Sequence, residues 1–174
     1  MGIDFAVSPR STVGIEWELQ LIDMDSLDLR QSADAVLRQI RDRYGESSHI
    51  VQEMMLNTIE VTSRPRETIG QCGADLAEFV TQVRPITDQL RIDLATAGSH
   101  PFARPHYQRV TEKQRYADLV KRTAYWGRQM LLFGTHVHVG VDERDKVLPI
   151  IRALLTRFAH LQSLAASSPL WAGV

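Results

Sequence analysis

Two histidines stand two residues apart in the stretch Gly-Thr-His-Val-His-Val-Gly at residues 134–140. Successive side chains of a β-strand point to opposite faces, so His136 and His138 share one face. Histidine is the commonest metal ligand in proteins, and two imidazoles side by side are suited to a divalent cation. The same pattern also fits two partly solvated surface histidines, and this strand by itself leaves both interpretations open.

Two glutamates repeat the arrangement near the N-terminus, within residues 12–22. The odd-numbered positions of that segment are apolar and predict a core face, whereas Glu16 and Glu18 lie together on the opposite face. Neighbouring carboxylates repel each other, so a concave and enclosed face there would indicate a cation site. An ordinary amphipathic surface strand is the alternative.

A third acidic pair lies in the segment 49–63, which is rich in β-branched residues. Glu53 and Glu60 are seven positions apart, and an odd separation places them on opposite faces of one regular strand. Both reach a common site only if a bulge or break intervenes. Otherwise one of the two is a structural or solvent-facing residue.

Helices are predicted between these strands. The first begins at a capping Ser32 and ends at Gly45. The second follows Thr68, carries an apolar stripe as far as residue 94, is kinked at Pro85 and ends at Gly98.

The C-terminal half continues with a proline-containing loop and two further predicted helices. Residues 99–109 contain two prolines and predict a loop. A capping box at Thr111 predicts a helix through about Trp126. The last helix follows Asp142, carries apolar residues from 147 to 161 and is expected to cover the sheet.

The composition is that of an ordinary soluble protein. The chain is 44% hydrophobic and 24% charged with a net charge of −1, which gives no electrostatic basis for nucleic-acid binding. The sequence has neither a membrane-spanning stretch nor a signal pattern at its start, so we expect a cytoplasmic protein. The single cysteine, Cys72, lies on the apolar stripe of the second helix and is expected to be a buried thiol.

The acidic and histidine positions of the three strands suit a hard divalent cation. Oxygen-rich sites favour magnesium or manganese, and paired cysteines of a structural zinc site are missing from the sequence. The set consists of Glu16, Glu18, Glu53, Glu60, His136 and His138.

Five motifs occur in the order found in carboxylate-amine ligases that resemble glutamate-cysteine ligase. They are GIEWE at 14–18, QEMMLNTIEVT at 52–62, GSHPF at 98–102, GTHVHVG at 134–140 and SSPLW at 167–171. The chain resembles this family from about Thr12 to its last residue. The resemblance implies that ATP and magnesium activate the γ-carboxylate of glutamate as an acyl phosphate, which an amine such as cysteine then attacks. It also implies an α+β fold similar to the catalytic domain of glutamine synthetase, with a curved antiparallel sheet and helices packed on one face.

The resemblance assigns a role to seven residues and no catalytic group. The implied ligands of magnesium or manganese are Glu16, Glu18, Glu53, Glu60 and His136, and the first two also orient the phosphates of ATP. The implied substrate contacts are His138 and Asn57.

The chain has about half the length of a complete family member. We therefore expect residues 1–174 to form the N-terminal portion of a single catalytic domain that turns over poorly by itself. Two alternatives stay open: a non-catalytic fragment or subunit that needs a separate C-terminal half, and a metal-dependent hydrolase or other phosphoryl-transfer enzyme. The expected partners are glutamate, an amine and ATP, without nucleic acid or membrane, and a homo-oligomer is left open.

Overall fold

The computed structural model describes residues 4–124 and 129–174. Its strands are β1 (Val13–Asp23), β2 (Ile50–Gln52), β3 (Thr58–Thr62), β4 (Ile92–Ala95) and β5 (Thr135–Val139). Its α-helices are α1 (Ala33–Tyr44), α2 (Ile69–Gln89), α3 (Gln114–Thr123), α4 (Val147–Leu155) and α5 (Phe158–Leu164). Short 3-10 turns lie at Pro105–Tyr107 and Arg144–Lys146.

All described strand pairs are antiparallel, and β1 is the central strand. The order is β2-β3-β1-β4, and β5 also pairs with β1. β3 pairs with residues 16–20 of β1, whereas β5 pairs with residues 13–17 and β4 with residues 20–23. Because both of the latter ranges overlap the β3 range, β4 and β5 share the edge of β1 opposite β3. The predicted α+β fold with an antiparallel sheet is confirmed.

The main core lies between one face of the sheet and the helices α1 and α2. Leu19 and Leu21 of β1 are fully buried there, against Val36 of α1 and Phe79 and Val83 of α2. Each such side chain stabilises the fold by about 1.5–3 kcal/mol through removal of apolar surface from water. The odd-numbered face of β1 is therefore the core face, as the alternation predicts.

The starts of α1 and α2 match the sequence predictions, with one correction. Thr68 caps α2 in a reciprocal capping box with Gln71, and Pro85 lies inside that helix. α1 ends before Gly45, whose φ of 88° suits a residue without a Cβ. Ser32 does occupy the N-cap position of α1, but its side chain makes no capping hydrogen bond, so the predicted cap is wrong.

The predicted end of α2 at Gly98 is wrong. The helix stops at residue 89, Arg91 takes a left-handed backbone with φ of 55°, and β4 follows. Leu94 continues the helical stripe, yet it also alternates with Ile92 around an exposed Asp93. Residues 92–95 form a strand instead of a helix because their backbone gains antiparallel pairing with β1.

The capping box predicted at Thr111 is also wrong. α3 begins at Gln114 after an N-cap at Lys113, and the Thr111 hydroxyl instead donates to the carbonyl of Glu53 at 2.8 Å. The predicted helix end at Trp126 lies outside the described residues. Residues 99–109 form the expected loop, apart from its short 3-10 turn.

The last predicted helix is wrong in two respects. It is divided into α4 and α5 at residues 156–157, and its apolar side chains do not cover the sheet. Leu154 is 52% exposed and Phe158 is 60% exposed. The apolar face of β1 and β3 is already covered by α1 and α2, which leaves the later helices no place on it.

The buried thiol predicted at Cys72 is confirmed. Cys72 is a free and fully buried thiol, with Sγ 3.6 Å from the carbonyl oxygen of Val13. Among the described helices, none combines the length and the apolar character needed to cross a membrane.

Candidate functional site

The pairing of β1 with β5 brings the first acidic motif against the histidine motif. Glu16 is the direct cross-strand partner of His136, and Gly14 is the partner of His138. Oε2 of Glu16 lies 3.1 Å from Nδ1 of His136 and 3.2 Å from Nε2 of His138. One carboxylate oxygen is thus shared by both imidazoles.

The pairing of β1 with β3 brings two further carboxylates side by side. Glu18 stands opposite Glu60, and Oε2 of Glu18 accepts a hydrogen bond from the backbone N–H of Gly134 at 2.6 Å. Glu60 is only 8% exposed. Desolvation raises its pKa to about 7, and the nearby carboxylates of Glu53, Glu16 and Glu18 add to the rise.

Glu53 joins the site because the chain turns between β2 and β3. These strands form an antiparallel hairpin, and Glu53 directly follows β2, whereas Glu60 lies within β3. The break that their odd spacing requires is therefore confirmed. The Glu53 carboxylate accepts a hydrogen bond from the N–H of Met54 at 3.0 Å, and Thr111 holds the Glu53 carbonyl.

Two cavities flank this row of carboxylates. Glu18, Glu53 and His136 line one cavity of about 420 Å³. On the other side, Glu16, Glu60 and His138 line a second cavity of about 530 Å³. The acidic row therefore forms a wall between two volumes, each large enough for part of a small-molecule substrate.

The charges on this wall favour a cation. Desolvation raises the pKa of Glu18, although the Gly134 N–H opposes the rise. Desolvation would also raise the pKa of Glu16, but the two histidines lower it overall. Within residues 4–124 and 129–174, no three His, Cys, Asp or Glu side chains form a ready-made metal cage. The donor chemistry still fits magnesium, which is commonly completed by water and substrate phosphates, and the ligand roles stay predictions.

The environment of Asn57 gives no support to the predicted substrate contact. Its side chain is fully buried, donates to Oε1 of Gln108 at 2.8 Å and accepts from the Thr58 hydroxyl at 2.8 Å. Both polar ends are thus engaged inside the protein, so Asn57 stabilises the turn between β2 and β3.

Sequence reasoning missed one backbone contribution to the site. Gly134 holds Glu18 through its N–H, a bond that has no side-chain signature in the sequence. Gln20, the next residue on this face of β1, is 1% exposed and donates to the carbonyl of Ala97 at 2.8 Å, so it fixes the strand and lines neither cavity.

A buried charge cluster fixes the strands that carry the carboxylates. Asp75 of α2 is 3% exposed and accepts hydrogen bonds at 2.6 Å from both Arg64 and Arg66. The Arg66 bond, with Arg64 adding to it, outweighs desolvation and holds the pKa of Asp75 below its usual value. The backbone of Arg66 exchanges hydrogen bonds of 2.7 and 2.8 Å with Val13, so the cluster joins β1, the end of β3 and α2.

Two of the five sequence motifs meet beside the smaller cavity. The N–H of Gly98 donates to the Ser167 hydroxyl at 3.2 Å, and the Ser99 hydroxyl donates to the carbonyl of Leu170 at 2.9 Å. Gly98 also lines the cavity that contains Glu18. The segment 167–170 thus packs against Gly98 and Ser99 at the edge of the smaller cavity.

Comparison with known proteins identifies the family. The family model of glutamate-cysteine ligase family 2 matches residues 12–174. The chain belongs to glutamate-cysteine ligase family 2. Two relatives, each named a putative glutamate-cysteine ligase 2, come from Arthrobacter sp. strain FB24 and Leifsonia xyli subsp. xyli strain CTCB07. They are 47% and 48% identical to the chain over 99% and 98% of its length.

These relatives are longer than the chain. The matches cover 47% of the Arthrobacter protein and 46% of the Leifsonia protein, so the chain spans about half the length of the curated relatives it matches. A crystal structure of glutamate-cysteine ligase from Francisella tularensis, in complex with AMP, matches 87% of this chain and 31% of its own. The TM-score between the two structures is 0.55 at 14% sequence identity, which shows that the Francisella protein and this chain share a fold.

Proposed function

We propose that the chain supplies the carboxylate and histidine wall of an ATP- and magnesium-dependent glutamate-cysteine ligase. In this proposal, residues 1–174 are the N-terminal portion of one catalytic domain. The substrates are glutamate, ATP and an amine such as cysteine, and the reaction takes place in the cytoplasm. The observation that carries the proposal is the acidic wall between two cavities, in a chain of this family.

The first requirement of the reaction is neutralisation of charge. Transfer of a phosphoryl group to a carboxylate brings two anions together. Magnesium, when bound, supplies positive charge to the phosphate oxygens and holds them in place. The residues that would hold it are Glu16, Glu18, Glu53, Glu60 and His136, and the name of the Francisella structure, a complex with AMP, supports nucleotide binding at this fold.

The second requirement is a fixed orientation of the ligands. Gly134 holds the Glu18 carboxylate, and His136 and His138 hold that of Glu16. His138 lies on the side of the larger cavity, where it contacts substrate in this proposal. The two cavities then receive the phosphate donor and the acceptor on opposite sides of the wall.

The third requirement is exclusion of water, because an acyl phosphate is hydrolysed readily. The described residues leave His136 and His138 more than half exposed at their side chains. We therefore expect the isolated chain to bind magnesium and nucleotide weakly and to turn over poorly.

Calorimetric titration with ATP tests the site, in the presence and absence of magnesium. We expect binding that requires magnesium and that weakens at least about tenfold in Glu16→Gln, because loss of one charged ligand costs roughly 1.4 kcal/mol or more. Glu46→Gln is the matched control, since its side chain is 84% exposed and lies outside the site. Equal binding by both variants would contradict the proposal.

A product assay separates the remaining alternatives. Formation of γ-glutamylcysteine and ADP by the chain alone, lost in Glu16→Gln, would overturn the expectation of poor turnover. Phosphate release from ATP that needs neither glutamate nor an amine would indicate a hydrolase instead. We expect neither activity above background from the isolated chain.

A further inference from the structure

Gly14 lies inside β1, at a point where that strand pairs regularly with β5. It stands opposite His138, and the pairs on either side of it continue the register of the two strands without an inserted residue. A glycine inside a strand weakens the strand and marks a bulge, a tight bend or a close approach of another molecule. The surroundings of Gly14 decide between these causes.

Neither the backbone nor the packing at Gly14 requires a glycine. Its φ is not positive, so its backbone conformation is open to other residues. A Cβ at this position would lie 3.8 Å from the Cβ of His138 and 4.0 Å from the Oγ of Ser63, which are ordinary van der Waals distances. A small side chain therefore fits here without any shift of its neighbours.

Gly140, at the end of β5, shows the opposite case. A Cβ there would collide with the hydroxyl of Thr12 and the carbonyl oxygen of Pro9. The N–H of Gly140 also donates to the Thr12 carbonyl at 2.7 Å, which holds the segment before β1 close to β5. Gly140 is therefore a glycine for packing, and no contact of this kind accounts for Gly14 within the described part of the chain.

An irregularity in the neighbouring segment opens space beside Gly14. Ser63 is hydrogen-bonded to Ile15, and Arg66 is hydrogen-bonded to Val13. The two residues between Ser63 and Arg66 thus lie opposite Gly14 alone, as in a β-bulge. The bulge belongs to the neighbouring segment and needs no glycine in β1. Gly14 lines the larger cavity, of about 530 Å³, at this point.

The lining of the larger cavity is polar and carries negative charge. It contains Glu16, Glu60, His138 and the hydroxyl groups of five serine and threonine residues, and neither lysine nor arginine is among its described lining residues. Carboxylate and hydroxyl oxygens accept hydrogen bonds from an ammonium group. The smaller cavity is instead lined by three methionines, a leucine and a phenylalanine beside its polar residues. The larger cavity is therefore the better match for the ammonium end of an amino acid.

We propose that Gly14 is a specificity-determining residue whose missing side chain leaves room for the α-ammonium group of glutamate beside His138. The proposal rests on the proposed function, which supplies glutamate as a substrate. An attacking amine must lose its charge to react, whereas the α-ammonium group of glutamate stays charged throughout. A side chain at residue 14 would occupy the space that this group needs, on the face of β1 that carries Glu16.

Thermal unfolding tests whether Gly14 is a structural glycine. Gly14→Ala should raise the melting temperature by about 2 °C, because the Cβ has room and alanine loses less backbone entropy on folding than glycine. Gly73→Ala is the matched control, since Gly73 is exposed on α2 and a Cβ there would reach open space. Gly140→Ala should lower the melting temperature. A loss in Gly14→Ala like that in Gly140→Ala would overturn the proposal.

Titrations followed by NMR test the binding of glutamate. The chain is titrated separately with L-glutamate, with L-cysteine and with ATP plus magnesium, and the shift of the His138 amide signal gives each dissociation constant. Gly14→Ala should weaken L-glutamate binding at least about fivefold and change ATP binding by less than about twofold. Gly73→Ala should change neither.

The outcomes separate this subsite from the proposed function. Equal affinity of wild type and Gly14→Ala for L-glutamate would overturn the subsite, and so would a loss confined to L-cysteine. A wild type that binds ATP with magnesium but not L-glutamate would also contradict the subsite, but not the proposed metal and nucleotide site. Weakened L-glutamate binding in Gly14→Ala, without magnesium-dependent ATP binding by the wild type, would support the subsite and contradict the proposed function.

Discussion

β1 and β5 are neighbours in one sheet but lie in different surroundings. The closed region comprises β1–β4 with α1 and α2, and its apolar residues are buried. The open region comprises β5, α4 and α5, and its apolar residues face solvent. The candidate site lies across this boundary, with buried Glu60 on one side and the exposed side chain of His136, 57%, on the other. The side of the site at Glu60 is thus supported by packing within the closed region, whereas the side at His136 is exposed.

The largest expected contrast is between equal truncations in the two regions. Leu19→Ala removes a fully buried side chain of the closed region and should lower the free energy of unfolding by about 3 kcal/mol. Leu154→Ala in the open region should change it by less than about 0.5 kcal/mol. Urea unfolding followed by circular dichroism measures both, and equal losses would break the distinction between the regions.

The next effect concerns the charge cluster beneath the carboxylate strands. Asp75→Asn weakens the hydrogen bonds from Arg64 and Arg66 and should destabilise the chain by about 2 kcal/mol. Glu78→Gln also alters a partner of Arg64, but this side chain is 51% exposed and should have little effect. Thermal unfolding of both variants shows whether the cluster stabilises the closed region. A melting temperature of Asp75→Asn equal to that of the wild type would exclude that role.

A smaller and pH-dependent effect is expected at Glu60. Its pKa of about 7 in the folded protein exceeds the ordinary value of 4.5, so the folded chain binds this proton more tightly than the unfolded chain. The contribution of Glu60 to the free energy of unfolding therefore falls as the pH rises from about 4.5 to about 7, and it is constant above that range. Glu60→Gln removes the penalty and should stabilise the chain by about 2 kcal/mol at pH 8, with almost no gain at pH 4.

Unfolding curves of wild type and Glu60→Gln across this pH range provide the measurement. Glu46→Gln serves as control, because this side chain is 84% exposed and lies outside the site. A stabilisation of Glu60→Gln that is equal at pH 4 and pH 8 would show that the pKa of Glu60 is not raised in the folded protein.

The sequence predicted the closed region better than the open region for a physical reason. The alternation of β1 matches its faces because one face packs on α1 and α2 within the chain. Leu94 misled the prediction because it fits both the helical period and the period of β4. The prediction for α4 and α5 failed because apolar periodicity indicates that a helix face is covered, but not by which part of the protein.

The site was predictable where the alternation of side chains along a strand determines the face on which a residue lies. This alternation placed Glu16 on one face with Glu18, and His136 on one face with His138. It also required a break between Glu53 and Glu60. The alternation gave no information on the hydrogen bond from the N–H of Gly134 to the Glu18 carboxylate, because this bond depends on the register between β1 and β5. The buried state of Asn57 was equally hidden, because it depends on the packing of the loop that contains Gln108.

The most direct test of the central claim replaces magnesium with paramagnetic manganese and follows the histidine ring protons by NMR. Manganese bound at the carboxylate wall should broaden the signals of His136 and His138 selectively, and Glu16→Gln should abolish the broadening. His100, whose Nε2 lies 3.0 Å from the carbonyl oxygen of Leu27 beyond the C-terminal end of β1, should stay sharper. Broadening that is absent, or equal at His100 and His136, would contradict a metal site on this face.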